Sequence, residues 1–297
     1  MVLESHMLLK EKRDGKTKGR TVAGGNKQRD YISKEDSSSP TVSTEAVILS
    51  CIIDALEGRD VATIDIPNAF IQTRIQDEKD IAILKIRGYL VDVLQEIDPE
   101  FYSPYVTTDK KGGKPIVVQA QNAIYGTIVA CLLYCCKFCA TLLRNEFKLN
   151  PYEPCVANRI THGKQQTTCW HVDDCKLSHV DPAANDKLIE AFREEYESIF
   201  EDGSGKMTVS RGKVHTYLGM TLEFSVPGQV SITMLDYIKE CLAAFDKAAP
   251  KERVIKTSAA PSDLCTVRQD SGKLVKTKSE QFHSIVAKVL FATKRSR

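Results

Sequence analysis

The sequence contains no apolar run approaching the roughly 18 residues of a membrane-spanning helix, and Met1 to Lys12 lacks the apolar core of a secretory leader. The first absence predicts a soluble chain with no membrane partner. The second predicts an intracellular one, cytoplasmic or nuclear and not secreted, whose ten cysteines are reduced thiols rather than a disulfide framework. There is no internal repeat and no low-complexity tract. Net charge is also nearly absent, +2 at pH 7, so composition alone singles out no partner. At 297 residues the chain can bury a substantial core and divide into two or three subdomains.

What charge there is has a pattern. Lys10, Lys12, Arg13, Lys16, Lys18, Arg20, Lys27 and Arg29 crowd the first thirty residues, and Lys247 to Arg297 is basic again. Two basic ends suit a polyanion, and ordinary solvated faces explain them equally well. Asp181 to Asp202 is acidic with apolar positions at helical spacing. Cys131, Cys135 and Cys139 are four apart and form one helical stripe, whereas structural zinc sites draw paired ligands from turns or separate elements. They are read as small buried hydrophobes. His162, His171, His179 and His215 show no ligand spacing either.

The first forty residues are polar and predict loops with one strand at 19–23. Val47, Ile48, Cys51, Ile52 and Leu56 then predict the apolar face of a helix over 42–56, with Ser43 or Thr44 as its cap and Gly58 as its stop. Val61 to Ile66 reads as a strand carrying Asp65, and Pro67 is placed to open a following helix. A strand at 81–86, a loop over 102–114, an apolar segment at 115–118 and a long helix over 128–147 come next. Thr167 to Val172 and Lys176 to Val180 are too close for anything but a tight hairpin, which sets Asp173 and Asp174 at or beside its tip. Leu188, Ala191, Phe192, Tyr196, Ile199 and Phe200 mark another helix. Val214 to Phe224 and Val230 to Met234 flank a turn at Pro227-Gly228, and 237–245 reads as helix. Helices mixed with antiparallel strands predict an α+β fold.

An adjacent pair of aspartates is, by itself, most often a solvated turn. Hard divalent cations nevertheless prefer oxygen ligands, and nucleotidyl transfer uses two such ions about 3.5–4 Å apart, held by short carboxylates on rigid elements. Asp65 closes one strand and Asp173 another, so the ends meet if the strands are neighbours.

Asp65-Ile66-Pro67-Asn68-Ala69-Phe70 resembles the first catalytic motif of copia-type retrotransposon reverse transcriptases, and His171-Val172-Asp173-Asp174 resembles the second. In the same order, Arg20 to Gly25 is similar to their basic fingers strand, Ser39-Pro40 to the following turn and Ala123-Ile124-Tyr125-Gly126 to the start of the template-contacting motif. Tyr217-Leu218-Gly219-Met220 resembles their strand near the primer grip. The likeness runs from about Arg20 to Arg297. Three departures stand out. Glu146-Phe147 replaces a Gly-Phe pair, and His171 replaces an aromatic, usually tyrosine. The stretch after Gly126, from Thr127 to Cys139, lacks the family's polar, small and aromatic sequence.

The resemblance implies a right-hand polymerase, α+β, with an antiparallel palm sheet packed on helices. Its parts would be fingers over 1–58 and 81–122, palm over 59–80 and 123–234, and thumb or connection over 235–297. Asp65, Asp173 and Asp174 would be both the catalytic residues and the ligands of two Mg²⁺ ions, with Mn²⁺ an alternative. Phe70 would be the steric gate against a ribose 2′-hydroxyl, Lys18 and Arg20 the contacts to the triphosphate, and Tyr125 and Gly126 the start of the template contact. The implied partners are an RNA or DNA template-primer and deoxynucleoside triphosphates, and the oligomeric state is left open. No ribonuclease H, integrase or protease portion is recognisable, which suggests the polymerase portion of a retroelement polyprotein, as a fragment or a decayed copy. Two further readings stay open: a non-catalytic nucleic-acid-binding remnant of such a domain, and an α+β interaction protein whose acids coincide by chance.

Overall fold

A computed structural model describes residues 2–11, 15, 17–197, 205–248 and 272–295. Lys12, Arg13, Lys16, Ile199, Phe200 and most of the basic stretch 247–271 lie outside the described residues. The chain divides into two compact units, Met1–Gly212 and Lys213–Arg297.

The first unit begins with an antiparallel pair, β1 (Val2–Glu11) and β2 (Thr17–Ala23), in which Leu8 faces Arg20 and Lys10 faces Lys18. The sequence predicts β2 but not β1. Leu3 is the one buried residue of β1, while Leu8 and Leu9 are exposed, so no inside-outside alternation marks the strand.

Helix α1 (Thr44–Leu56) starts where expected, with Ser43 Oγ accepting the Ala46 N–H at 3.2 Å, and the left-handed Gly58 (φ 63°) lies just beyond its end. Its buried face shares Val47 and Cys51 with the expected apolar one and is otherwise rotated from it. Val47, Ser50, Cys51, Asp54 and Ala55 point inward, while Ile52 and Leu56 are exposed. The rotation has an electrostatic cause: Lys176, 1% exposed, donates to Ser50 Oγ at 2.6 Å and to Asp54 Oδ2. A buried ammonium needs such partners. Burial, the largest influence, pulls its pKa down, and the Asp54 charge and hydrogen bond together with Cys169 and Cys51 turn the net shift upward.

β3 (Asp60–Asp65) follows, and the helix expected after Pro67 does not form. Asn68 takes a left-handed conformation (φ 52°) and 67–73 is a chain of turns, closed by the Thr73 N–H to Phe70 carbonyl bond at 2.8 Å. Next come β4 (Ile83–Ile86), α2 (Tyr89–Ile97), the single turn α3 (Pro99–Tyr102), β5 (Ile116–Gln119) and α4 (Ala130–Arg144). β6 (Lys148–Leu149), β7 (Val156–Thr161), β8 (Lys164–His171), β9 (Asp174–His179), α5 (Pro182–Tyr196) and β10 (Thr208–Arg211) complete the unit.

Its strands make two sheets, ordered β2-β1-β4-β5 and β10-β3-β9-β8-β7-β6, and every pairing in the second is antiparallel. Trp170 on one face of the six-stranded sheet meets Phe138 of α4 at 5.2 Å between ring centroids, and Phe138 meets Phe192 of α5 at 5.5 Å. Lys176, on the opposite face by strand alternation, meets α1. The sheet is therefore covered by helices on both faces, which gives the expected α+β class.

In the second unit β11 (Val214–Tyr217), β12 (Met220–Glu223) and β13 (Ser231–Thr233) form a meander, followed by α6 (Leu235–Ala248) and α7 (Lys276–Thr293). The strand expected over 214–224 is split in two. Leu218 (φ 49°) and Gly219 (φ 76°) are both left-handed and close a tight hairpin, so Tyr217-Leu218-Gly219-Met220 is a turn rather than a strand. Among the described residues no helix is long and apolar enough to cross a membrane.

Candidate active site

The hairpin of β8 and β9 turns through two residues, Val172 and Asp173, and Asp174 is the first residue of β9. Val172 is left-handed (φ 59°), a position that disfavours a β-branched side chain, whereas Asp173 is not. Positive φ at the first central residue alone is the pattern of a type II′ turn. β3 pairs with β9 so that Asp65 stands directly opposite Asp174, and His171 faces Asp174 across the hairpin. Thr208 faces Asp65 from the other side. Directly opposed residues share a sheet face, so Thr208, Asp65, Asp174 and His171 form one row. The Ile66 N–H donates to the Asp173 carbonyl at 3.0 Å, which ties the turn to the end of β3.

The electrostatics follow from this crowding. Asp65 is exposed, whereas Asp173 and Asp174 are half-buried. Burial, then the charges of Asp173 and Asp65, push the Asp174 carboxyl up to about 6. Asp173 is raised as well, first by burial and further by Asp65, while its own backbone amide, Arg20 and His171 pull the other way.

Beside the acids lies a cavity of about 410 Å³ whose lining includes Lys18, Arg20, Asn68, Gln121, Asn122 and Tyr125. The Arg20 guanidinium sits 4.9 Å from the centre of the Tyr125 ring, and the Phe70 ring lies 4.9 Å from Tyr125 on centroids. Burial raises the Tyr125 hydroxyl most. Arg20 lowers it, and the Asp173 and Asp65 charges raise it further, so cavity and acids share one field. Phe70 also reaches Tyr134 of α4 at 6.2 Å.

Gly126 has a different environment from its neighbour. The Ala23 N–H donates to the Tyr125 carbonyl at 2.7 Å, and a Cβ on Gly126 (φ 92°) would fall 2.1 Å from the Ala23 carbonyl oxygen. A Cβ on Gly25 would fall equally close, 2.1 Å, to the Gly126 oxygen. Two glycines thus let two backbones touch, and the contact fixes where Tyr125 enters the cavity.

The structure brings Asp65, Asp173 and Asp174 to one end of the sheet and gathers Lys18, Arg20 and Tyr125 around the cavity, with Phe70 packed against the Tyr125 ring. Sequence reasoning missed Asn68, Gln121 and Asn122, which carry no spacing signal, and Lys176, to which the strand reading over 176–180 gave no role of its own. Among the described residues no group of three His, Cys, Asp or Glu side chains is arranged to hold a metal ion. The donor chemistry still fits a hard cation, because the three acids offer only oxygen, and burial first and the neighbouring carboxylates second raise two of them. Mg²⁺ commonly takes one or two carboxylates and completes its shell with phosphates and water, so protein groups need supply only part of it.

Among solved structures, the chain is similar to apo telomerase from Candida tropicalis, with TM-score 0.40, 13% identity, and coverage of 77% of this chain and 48% of that one. It is similar also to telomerase from Candida albicans in complex with a TWJ fragment of telomeric RNA, with TM-score 0.37, 11% identity, and coverage of 77% and 46%. The chain spans about half the length of these telomerases. No curated protein matches it. The family model described as Reverse transcriptase (RNA-dependent DNA polymerase) matches residues 5–257. A match of that extent takes in both carboxylate motifs, the hairpin and the cavity walls, and the chain belongs to the reverse transcriptase (RNA-dependent DNA polymerase) family.

Proposed function

We propose that the chain is the polymerase portion of a copia-type retrotransposon polyprotein, an RNA-directed DNA polymerase that extends a primer 3′-hydroxyl with deoxynucleotides. The observation that carries this reading is the row formed by Asp65 and Asp174 with Asp173 in the adjoining turn, beside a cavity lined by Lys18, Arg20 and Tyr125. In this reading 1–58 and 81–122 serve as fingers, 59–80 and 123–234 as palm, and 235–297 as thumb or connection.

Each residue's task follows from its chemistry. Asp65, Asp173 and Asp174 would hold two Mg²⁺ ions, which supply activation of the attacking hydroxyl and neutralisation of the leaving pyrophosphate. Asp65, the exposed acid, presents its carboxylate to solvent and substrate. Lys18 and Arg20 bind the triphosphate of the incoming nucleotide through charge-assisted hydrogen bonds. Phe70, braced by Tyr125, excludes a 2′-hydroxyl and so selects deoxynucleotides. Gly126, by seating the 125–126 backbone on Ala23, positions Tyr125 against template and nucleotide.

Primer extension on an RNA template with Mg²⁺ tests the reading, with Asp173→Asn as the control expected to abolish incorporation. Absence of extension by a folded, template-bound wild-type chain would sink it. A second reading, a nucleic-acid-binding remnant without polymerisation, is favoured by His171, which sets a group capable of positive charge directly opposite Asp174. That remnant would bind template-primer in a salt-sensitive way and remain inert when position 171 is made tyrosine.

A further inference from the structure

The turns over 67–73 carry Phe70 without forming a helix or a strand, yet every carbonyl in the segment has a protein donor. Pro67 accepts from Gln72 Nε2 at 2.6 Å, Asn68 from the Gln72 N–H at 3.2 Å, Ala69 from the Thr73 hydroxyl at 3.0 Å and Phe70 from the Thr73 N–H at 2.8 Å. Those bonds are made within the segment. The remaining carbonyls are held from outside: Asn122 Nδ2 donates to Ile71 at 2.5 Å, Lys137 Nζ to Gln72 at 2.9 Å and the Ala123 N–H to Thr73 at 2.8 Å. Irregular surface segments ordinarily leave part of this bonding to water, so a fully tethered one is built to stay in place.

Lys137 reaches the segment from α4. Its ammonium lies 3.7 Å from Glu195 Oε1 and 4.9 Å from the centre of the Tyr196 ring, so α5 fixes where the charge sits. Donation by an ammonium to a carbonyl is charge-assisted and stronger than the neutral bonds inside the segment. Among the described residues Asn122 lines the cavity and Lys137 does not, so any effect of Lys137 on a bound nucleotide passes through the segment it holds.

We propose that Lys137 and Asn122 are positioning residues for nucleotide selection. By holding the carbonyls that follow Phe70, they keep its ring seated against Tyr125, 4.9 Å away on centroids, and closed against a ribose 2′-hydroxyl. This rests on the polymerase reading above, in which Phe70 selects deoxynucleotides. A ring excludes one oxygen atom only while it cannot give way, and a displacement of about 1 Å is enough to change such a fit. Phe70 is half-buried, so packing covers part of it and the tethered backbone supplies the rest.

Extension by the full chain on an RNA template with Mg²⁺ gives the ratio of kcat/KM for a deoxynucleotide to that for the matching ribonucleotide. Lys137→Met keeps the apolar stem and leaves Glu195 paired with Arg144 at 2.9 Å, so it removes the tether and little else. It is expected to lower the ratio about tenfold, through a rise in ribonucleotide kcat/KM that a merely destabilised enzyme would not show. Lys137→Arg should restore the ratio, and in a Phe70→Ala background Lys137→Met should change it no further. Hydrogen exchange without nucleotide gives a second readout: Lys137→Met should speed exchange at the Gln72 and Thr73 amides and leave β8 and β9 as they are. Should Lys137→Met fail to fold, Asn122→Ala is expected to give both results in its place. An unchanged ratio overturns the proposal, as does an equal loss for both nucleotides or an unchanged exchange rate. A folded wild-type chain that binds template-primer and incorporates neither nucleotide overturns the polymerase reading and nucleotide selection with it, and the exchange rates then decide whether Lys137 holds the segment.

Discussion

Glu146 holds a left-handed backbone (φ 64°) two residues past the end of α4, where the copia-type motif has glycine. The Phe147 N–H reaches the Leu142 carbonyl at 3.0 Å and the Glu146 N–H reaches that of Leu143 at 3.0 Å, the paired bonds of a Schellman cap. That geometry asks for glycine, since a side chain in the left-handed region costs roughly 1–2 kcal/mol. Glu146→Gly is therefore expected to stabilise the chain by about 1 kcal/mol despite its looser unfolded state, read as a higher denaturation midpoint with an unchanged slope. An unchanged or lower midpoint would show that the helix end relaxes around the glutamate. The cap forms with glutamate in place because its hydrogen bonds are made by the backbone.

At the scale of elements, α1 and β9 are joined by charge where the pattern suggested grease. Lys176 and Asp54 are both about 1% exposed, and Arg59, 4% exposed, adds hydrogen bonds to Thr167 at 3.0 Å and Ser178 at 3.5 Å. Removing one partner of a buried ion pair leaves the other charge stranded, at a cost of about 3–5 kcal/mol. Asp54→Ala should lower stability by that order in equilibrium denaturation. The double variant Asp54→Leu, Lys176→Met should recover part of the loss, because Lys176 is no longer stranded while Arg59, 3.7 Å from Asp54, keeps only its ion pair with Glu57 at 2.8 Å. A double variant as unstable as the single would mean that the network specifies the packing of α1 as well as neutralising charge. Lys176 lies two residues beyond Asp174 on the same strand face, so this pair also anchors the strand that presents the acid.

For the whole molecule, the acid row makes stability depend on pH in an unusual direction. Asp174 is pushed up to about 6 in the folded chain, against about 4 for an ordinary aspartate. Its folded-state pKa thus exceeds the unfolded one, so its contribution is fully present below about pH 4 and is lost as pH rises through about 6. Asp173 shifts in the same direction and adds to the effect. Between these limits the metal-free wild-type melting temperature should fall relative to that of Asp174→Asn, which lacks the titration; parallel profiles would count against the strain of the acid row. Mg²⁺ bound by these carboxylates would oppose the loss by favouring their ionised forms.

By itself the sequence determined the local parts. The Ser43 cap and Gly58 stop of α1, the β8–β9 hairpin with its two acids, and the order of the motifs were legible, because caps, turns and periodicity depend on residues a few positions apart. It misjudged the segment after Pro67 and the 214–224 strand, where left-handed Asn68 and Leu218 break the pattern without a distinctive local signal. Only the tertiary structure decided which face of α1 is buried, since that choice follows from a lysine far along the chain. It alone set Asp65 opposite Asp174 and drew Lys18, Arg20, Asn68 and Tyr125 to one cavity. Strand register and backbone contact between distant segments are fixed by packing and hydrogen bonding across the fold, and no local spacing encodes them.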